Sequence, residues 1–200
     1  MRIILIGLCI LLTNQIVIAD SFINGEHYIT LNKPISGIPK VVEFFSFLCP
    51  HCYQLESMFH QKKNSSKFKI FKYHVGFTTE NEKILTQAWS IAIALGIEQR
   101  TILPIFEIII KNNLSYNNLC KVFTNLGISK RDYYYLWNSY YIRLLSFKQA
   151  QLANRIGINT VPTIVIDGKY VINNEVITIF SNKKNLQQYN KIITYLQHLD

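Results

Sequence analysis

The stretch Phe44-Phe45-Ser46-Phe47-Leu48-Cys49-Pro50-His51-Cys52 decides how the rest of the chain is read. An apolar, β-prone run from Val41 to Phe47 ends in two cysteines two residues apart, and an amphipathic segment follows. Such a run predicts a buried strand. Pro50 suits the first position of a helix, where a missing N–H costs nothing. A helical turn would bring Cys52 back toward Cys49, close enough for the two sulfurs to meet. Cys49 then sits at or near the N-cap, where unpaired N–H groups and the positive end of the helix dipole favour a thiolate. His51, if protonated, adds a second positive group. The turn therefore predicts an exposed, nucleophilic Cys49 and a more buried resolving Cys52, a reversible dithiol/disulfide pair.

Three other readings of the pair stay open on these residues alone. Half a zinc site needs further ligands, and the remaining cysteines are the lone Cys9 and Cys120. A static disulfide across two intervening residues would stabilise the chain little. Inert core thiols fit poorly with a proline and a histidine between them. The redox reading requires a thioredoxin-like context, so the surrounding chain has to supply one.

Residues 1–19 read as a secretory signal. Arg2 starts it, Ile3 to Leu12 is its apolar core, and Val17-Ile18-Ala19 is a suitable cleavage site. The interruption at Thr13-Asn14-Gln15 leaves the apolar stretch short for a membrane span. Cleavage near Ala19 would place the chain in an oxidising compartment. The sequence of 200 residues is 49% apolar, ample for one sizeable core. The formal net charge is +9, but the lysines are scattered or in short clusters such as Lys62-Lys63 and Lys183-Lys184. No basic stripe interleaved with aromatics stands out, which argues against nucleic acid as a partner.

Glu26 to Leu31 reads as a short strand, and Pro34, Gly37 and Pro39 as a loop. Lys67 to Val75 is a further strand. Glu43 and Lys72 each place one charge inside an apolar run, so the two strands either pair these charges or turn each outward to solvent. The helix from Pro50 carries Cys52, Leu55 and Phe59 on one face. From Glu82 the pattern is helical. Leu85, Trp89, Ala92 and Ile93 mark a first helix closed by Gly96. Glu98 to Asn112 continues, restarted or kinked near Pro104. Ser115 caps a helix through Leu126, closed by Gly127. Ser129 caps a long aromatic segment through Tyr133, Trp137, Tyr140 and Tyr141, bending near Ser146 and ended by Gly157. Its aromatic stripe reads as core and surface packing. Thr163 to Ile166, Asp167-Gly168 and Lys169 to Ile172 form a hairpin with a type I′ turn. A last helix follows Ser181 to about Leu199, with Ile192, Ile193 and Leu196 inward.

Without the helical block, a β-α-β unit and a β-β-α unit remain. That is an α/β, thioredoxin-like fold, a central mixed sheet flanked by helices, with an inserted α-helical domain. The expected division is a signal at 1–19, a discontinuous thioredoxin-like domain at 20–80 and 155–200, and the insertion at 81–154. Pro162, just before the hairpin, is then positioned to bring the preceding backbone toward the dithiol.

At this point the mature chain resembles the DsbA family of periplasmic thiol:disulfide oxidoreductases from Gram-negative bacteria. The residues that carry the resemblance are Pro39 to Gln54, Lys72-Tyr73-His74-Val75, Leu85-Thr86-Gln87-Ala88-Trp89, Trp137-Asn138-Ser139, Val161-Pro162, and Asp167-Gly168-Lys169-Tyr170. The Pro-His interior of the cysteine pair separates it from thioredoxins and from the dimeric isomerases. The resemblance implies a redox-active Cys49–Cys52 disulfide with Cys49 as the exchanging thiol, and His51, beside Pro50, as stabiliser of its thiolate. It implies that Val161-Pro162 is a cis-proline loop where substrate backbone docks, and that Glu43 and Lys72 form a buried charge pair near Cys52 with Glu56 nearby. It further implies no cofactor or metal, a monomer in the periplasm, unfolded exported proteins as substrates, and re-oxidation by a DsbB-like, quinone-linked membrane oxidase. Two features depart from the family. The region between His60 and Lys72 looks shortened. Cys120 leaves an odd thiol, read as a buried free cysteine or as an intermolecular partner.

The expected activity is introduction of disulfides into newly exported proteins by thiol–disulfide exchange. A peptide-binding chaperone, a zinc-holding dithiol, and a reductase or isomerase are the alternatives.

Overall fold

A computed structural model describes residues 22–61, 68–76, 79–173, 175–176 and 183–199. The expected signal at 1–19 lies outside the described residues, as do Ser181 and Lys67, the expected starts of the last helix and of one strand. Five strands, β1 (Tyr28–Thr30), β2 (Val41–Phe45), β3 (Phe71–His74), β4 (Thr163–Ile166) and β5 (Tyr170–Ile172), form one sheet in the order β1-β5-β4-β2-β3. Only β2 and β3 run parallel, as a β-α-β crossover requires; the other neighbours are antiparallel. The helices are α1 (Pro50–Gln61), α2 (Glu80–Leu95), α3 (Glu98–Ile110), α4 (Tyr116–Thr124), α5 (Lys130–Asn138), α6 (Tyr140–Ile156) and α7 (Lys183–Gln197). Helices α2 to α6 fall between β3 and β4, so the thioredoxin-like plan with a helical insertion is what the chain adopts.

Every residue of β2 is buried, and the period of two sorts its side chains. Val41 joins Leu55 of α1 and Tyr189, Ile192, Ile193 and Leu196 of α7 on one face. Val42 and Phe44 join Leu152 and Ala153 of α6 on the other. At the carboxyl end, Phe45 and Phe47 enter the core of the helical block. There Phe47 lies 4.8 Å from Phe106 between ring centroids, and Phe45 lies 5.2 Å from Trp89. The helical block thus sits over the sheet end that carries the two cysteines. The hairpin turn is as expected: Asp167 and Gly168 have φ of 48° and 62°. A Cβ on Gly168 would fall 2.1 Å from the Ile35 carbonyl oxygen, so only glycine fits there.

Three local expectations are corrected. The segment after Ser129 does not bend at Ser146; it breaks at Ser139. Ser139 takes an extended conformation, ends α5, and accepts from the Ile142 N–H to cap α6. Ser146 lies inside α6, its hydroxyl 3.0 Å from the Ile142 carbonyl. Helix α3 does not restart at Pro104, because Ile102, Ile105 and Phe106 bury on either side of the missing backbone bond. The strands are shorter than their apolar runs: β1 covers three residues, β2 ends at Phe45 and β3 begins at Phe71. The aromatic stripe divides: Tyr133 is fully buried, whereas Tyr134, Tyr135, Tyr140 and Tyr141 are exposed. Among the described residues, no helix is long and apolar enough to cross a membrane.

Candidate active site

The turn after β2 is built by Ser46. Its carbonyl accepts from the Cys49 N–H at 3.1 Å, and its hydroxyl accepts from the Leu48 N–H at 3.2 Å. The chain thus swings directly into α1, and Cys49 becomes the residue before the first helical position, as expected. Its Sγ accepts from the Cys52 N–H at 3.3 Å, taking the place of a hydroxyl in an N-cap. Cys49 is half-buried; Cys52 is 1% exposed, packed with Phe45, Phe47 and Trp89. Both are thiols here, as is Cys120, which is buried in the same helical core.

The Cys49 thiol is lowered to about 6, chiefly because the Cys52 thiol hydrogen-bonds to its sulfur. Partial burial opposes this, and the backbone N–H groups of Cys52 and His51 assist. The charge of the His51 ring acts in the same direction but least of the named causes. The partner thiol and the backbone N–H groups at the helix terminus therefore carry more of the effect than His51 does. Cys52 moves the opposite way, raised first by its bond to Cys49 and then by burial, with Glu43 adding to the rise.

Opposite Cys49, 112 positions along the chain, the Val161 carbonyl oxygen accepts from the Cys49 thiol at 3.4 Å. The Val161–Pro162 peptide is cis. Pro162 begins no ladder bond of its own, and Thr163, next in line, starts β4 against Phe44 of β2. The strand pairing thus sets this loop beside the first cysteine.

Below the dithiol, the β2–β3 register places Glu43 directly across from Lys72. The Lys72 ammonium meets the Glu43 carboxylate and stands 2.9 Å from Glu56 Oε2 of α1. Glu43 is 2% exposed and Glu56 5%. Of the two sequence options, the charges are therefore paired, and Glu56 joins them. Burial pushes Glu43 above the ordinary carboxylate range against the pull of Lys72, and the neighbouring Glu56 charge adds to the rise. Lys72 stays charged: burial works against its charge, but Glu43 and Glu56 outweigh that and raise it.

The roles of several residues here were not read from the sequence. His60 places one ring nitrogen 3.1 Å from Glu56 and the other 3.0 Å from the Gln99 carbonyl, tying α1 to α3; its four-residue spacing from Glu56 was the available signal. His74 is fully buried and stacked on Phe47 at 5.1 Å. Its ring bonds Thr86, its N–H donates to Gln149, and burial lowers it to about 3, so it is neutral. The Trp89 indole donates to the Lys72 carbonyl. These bonds close the outer edge of β3 with α2 and α6, which keeps Lys72 in register.

Several known proteins resemble this chain along most of its length. The family model described as a DSBA-like thioredoxin domain matches residues 40–194. The thiol:disulfide interchange protein DsbA of Salmonella typhimurium is 40% identical over 180 residues, covering 86% of this chain and 87% of that protein. The protein of that name from Escherichia coli K12 is 38% identical over 186 residues, covering 89% of each. The crystal structure of the disulfide oxidoreductase DsbA from Proteus mirabilis superposes with a TM-score of 0.74 at 33% identity, over 90% of this chain and 98% of that one. A cysteine-to-serine form of the Proteus protein, solved with a non-covalently bound peptide PWATCDS, gives 0.75 at 32% identity, over 90% of this chain and all of that one.

Proposed function

The chain belongs to the DSBA-like thioredoxin family and is a thiol:disulfide oxidoreductase that introduces disulfide bonds by exchange; on that premise we propose the following roles for its residues. Cys49 is the exchanging thiol and Cys52 the buried partner. A substrate thiolate attacks Cys49 Sγ of the oxidised pair, the Cys49–Cys52 bond breaks, and its electron pair goes to Cys52, which takes up a proton. A second substrate thiolate attacks the substrate sulfur of the mixed disulfide, and Cys49 leaves as a thiolate. The substrate is oxidised by two electrons and the dithiol reduced by two. The observation that carries this assignment is Cys49 Sγ on the N-terminus of α1, facing the Val161 carbonyl. A low leaving-group pKa speeds the second step and favours the reduced form, which makes a strong oxidant.

Val161 and Pro162 line the place where a substrate backbone would lie, Pro50 sets the first turn of α1, and His51 adds a small positive charge. Glu43, Lys72 and Glu56 form the floor beneath Cys52, and the Glu43 charge adds to the rise that keeps Cys52 protonated. Residues 81–154 form the inserted domain, and 20–80 with 155–200 the thioredoxin-like one. By the same reading residues 1–19 are a signal cleaved near Ala19, and the protein works as a periplasmic monomer. It would act on unfolded exported proteins and be re-oxidised by a quinone-linked membrane oxidase.

The test is equilibration in glutathione buffers followed by counting reactive thiols by mass. A Cys49–Cys52 pair reduced even in strongly oxidising buffer is the expected result; a disulfide that survives strongly reducing buffer would overturn the assignment. Alkylation of Cys49 by iodoacetamide should have its midpoint near pH 6. Because ionisation is easier in the folded state, the thiolate's stabilisation of the reduced form is complete above the ordinary thiol range and disappears as pH falls through about 6. His51→Ser should raise the midpoint only slightly, and an unchanged value removes His51 from the mechanism. Glu43→Gln should slow exchange without abolishing it; unchanged exchange and melting would dismiss the charge-pair role.

A further inference from the structure

Five large aromatic side chains stand in solvent along α5 and α6: Tyr134, Tyr135, Tyr140, Tyr141 and Phe147 are 57–72% exposed. None of them belongs to the dithiol site. On α6, the spacing of Tyr140, Leu144 and Phe147 puts them along one stripe, opposite the buried Ile142 and Gln149. Arg143 and Lys148 flank that stripe, and both are exposed. Helix α5 is joined to it by Ser139 alone, and Arg143 donates to the Asn138 carbonyl at 2.7 Å, which draws the two helices together. Tyr134 and Tyr135, with ring centroids 6.0 Å apart, lie within two turns of this joint, beside the exposed Lys130 and Arg131.

Charge is strongly one-sided here. Between Glu107 and Asp167 the chain carries seven lysines and arginines and a single acid, Asp132. That acid accepts from the Ser129 hydroxyl at 2.7 Å and stands 3.7 Å from Arg131, and Lys111 is paired with Glu107 at 3.5 Å, so Lys130, Arg143 and Lys148 are the basic side chains beside the aromatics that have no acid against them among the described residues. A surface that combines exposed tyrosines and a phenylalanine with unbalanced basic side chains matches one kind of partner closely. Tyrosine rings settle at the boundary between lipid headgroups and acyl chains, and lysine and arginine are drawn to anionic headgroups. An exposed helix face also suits a flat surface better than an extended peptide, which needs a groove.

We propose that the outer face of α5 and α6 docks reversibly on an anionic lipid bilayer, through Tyr134, Tyr135, Tyr140, Tyr141 and Phe147 with basic side chains around them. Docking would hold the enzyme at a membrane face while leaving the dithiol free.

The experiment uses the chain without residues 1–19, since an apolar leader would itself enter lipid and the described fold starts after it. Partition is measured by sedimentation with vesicles of phosphatidylcholine alone and of phosphatidylcholine with phosphatidylglycerol. The expected result is binding to the anionic vesicles at low salt, at least tenfold above the neutral ones and falling as salt is added. Each basic residue held near the lipid contributes about fivefold. Tyr140→Ser with Tyr141→Ser and Phe147→Ser should lower partition at least tenfold, with melting and thiol exchange unchanged. Lys148→Gln with Arg131→Gln is the second variant, less open to folding defects, and should lower it severalfold. No binding to anionic vesicles, equal binding by both variants and the parent, or tighter binding to a reduced unfolded protein or a single-stranded oligonucleotide than to lipid would each overturn the proposal.

Discussion

A Cys52→Ser chain is expected to stop turning over and to accumulate as a mixed disulfide through Cys49. Mixed in reduced form with glutathione disulfide, its Cys49 thiolate attacks one sulfur, a Cys49–glutathione bond forms, and the other glutathione leaves as thiolate and takes a proton. In the parent chain the Cys52 thiol, which bonds to Cys49 Sγ, would resolve the adduct and release the second glutathione. A serine hydroxyl cannot, so intact mass should show one stable adduct. Cys49→Ser should show none on the same timescale, since Cys52 is 1% exposed beneath Phe47 and Trp89 and its thiol is raised by burial. Exchange should drop to background in both variants, the largest effect available from one side chain. An adduct on Cys52 formed as fast in Cys49→Ser would reverse the assignment of attacking and buried sulfurs.

Lys72→Met should cost about 3–5 kcal/mol of stability at neutral pH, because it leaves two carboxylates buried without their cation. Glu43 and Glu56 are both nearly inaccessible; His60, 34% exposed, stands 3.1 Å from Glu56 Oε1, but Glu43 has no cation besides Lys72 against it among the described residues. Glu43→Gln should be milder, about 1 kcal/mol, since Lys72 keeps Glu56 and the amide oxygen still accepts a bond. The pH dependence separates the two. Burial already raises Glu43 above its unfolded value, and without Lys72 nothing offsets that rise. A carboxylate easier to protonate when folded gains the folded state stability as pH falls. Part of the Lys72→Met loss should therefore be recovered toward pH 4, whereas the Glu43→Gln chain should show little such recovery. Denaturant midpoints of both variants at pH 7 and pH 4 decide it; a Lys72→Met loss that does not shrink on acidification would mean the carboxylates are solvated.

These two predictions rest on different levels of the molecule. The dithiol turn was legible because its determinants are local: a strand-forming run, a proline at the first helical position and two cysteines one turn apart. The Asp167-Gly168 turn, the caps at Ser115 and Ser129 and the glycine stops at Gly96 and Gly157 were legible for the same reason, since each satisfies backbone groups within four residues. The break at Ser139 was missed because Ser139 and Ser146 are equivalent as isolated residues. Only the packing of Ile142 and Gln149 against the helical core distinguishes the capping serine from the one inside α6.

The sequence by itself determined the kind of chemistry: which two sulfurs exchange, at which helix end, and in which order of elements. Only the tertiary structure decided what surrounds them. The β2–β3 register brought Lys72 across from Glu43, the crossover brought Glu56 of α1 onto the same ammonium, and the β4–β2 pairing carried Val161 to Cys49 from 112 residues away. Strand register and helix placement depend on how apolar faces from distant segments fit together, and no local pattern of residues encodes which two distant positions will meet.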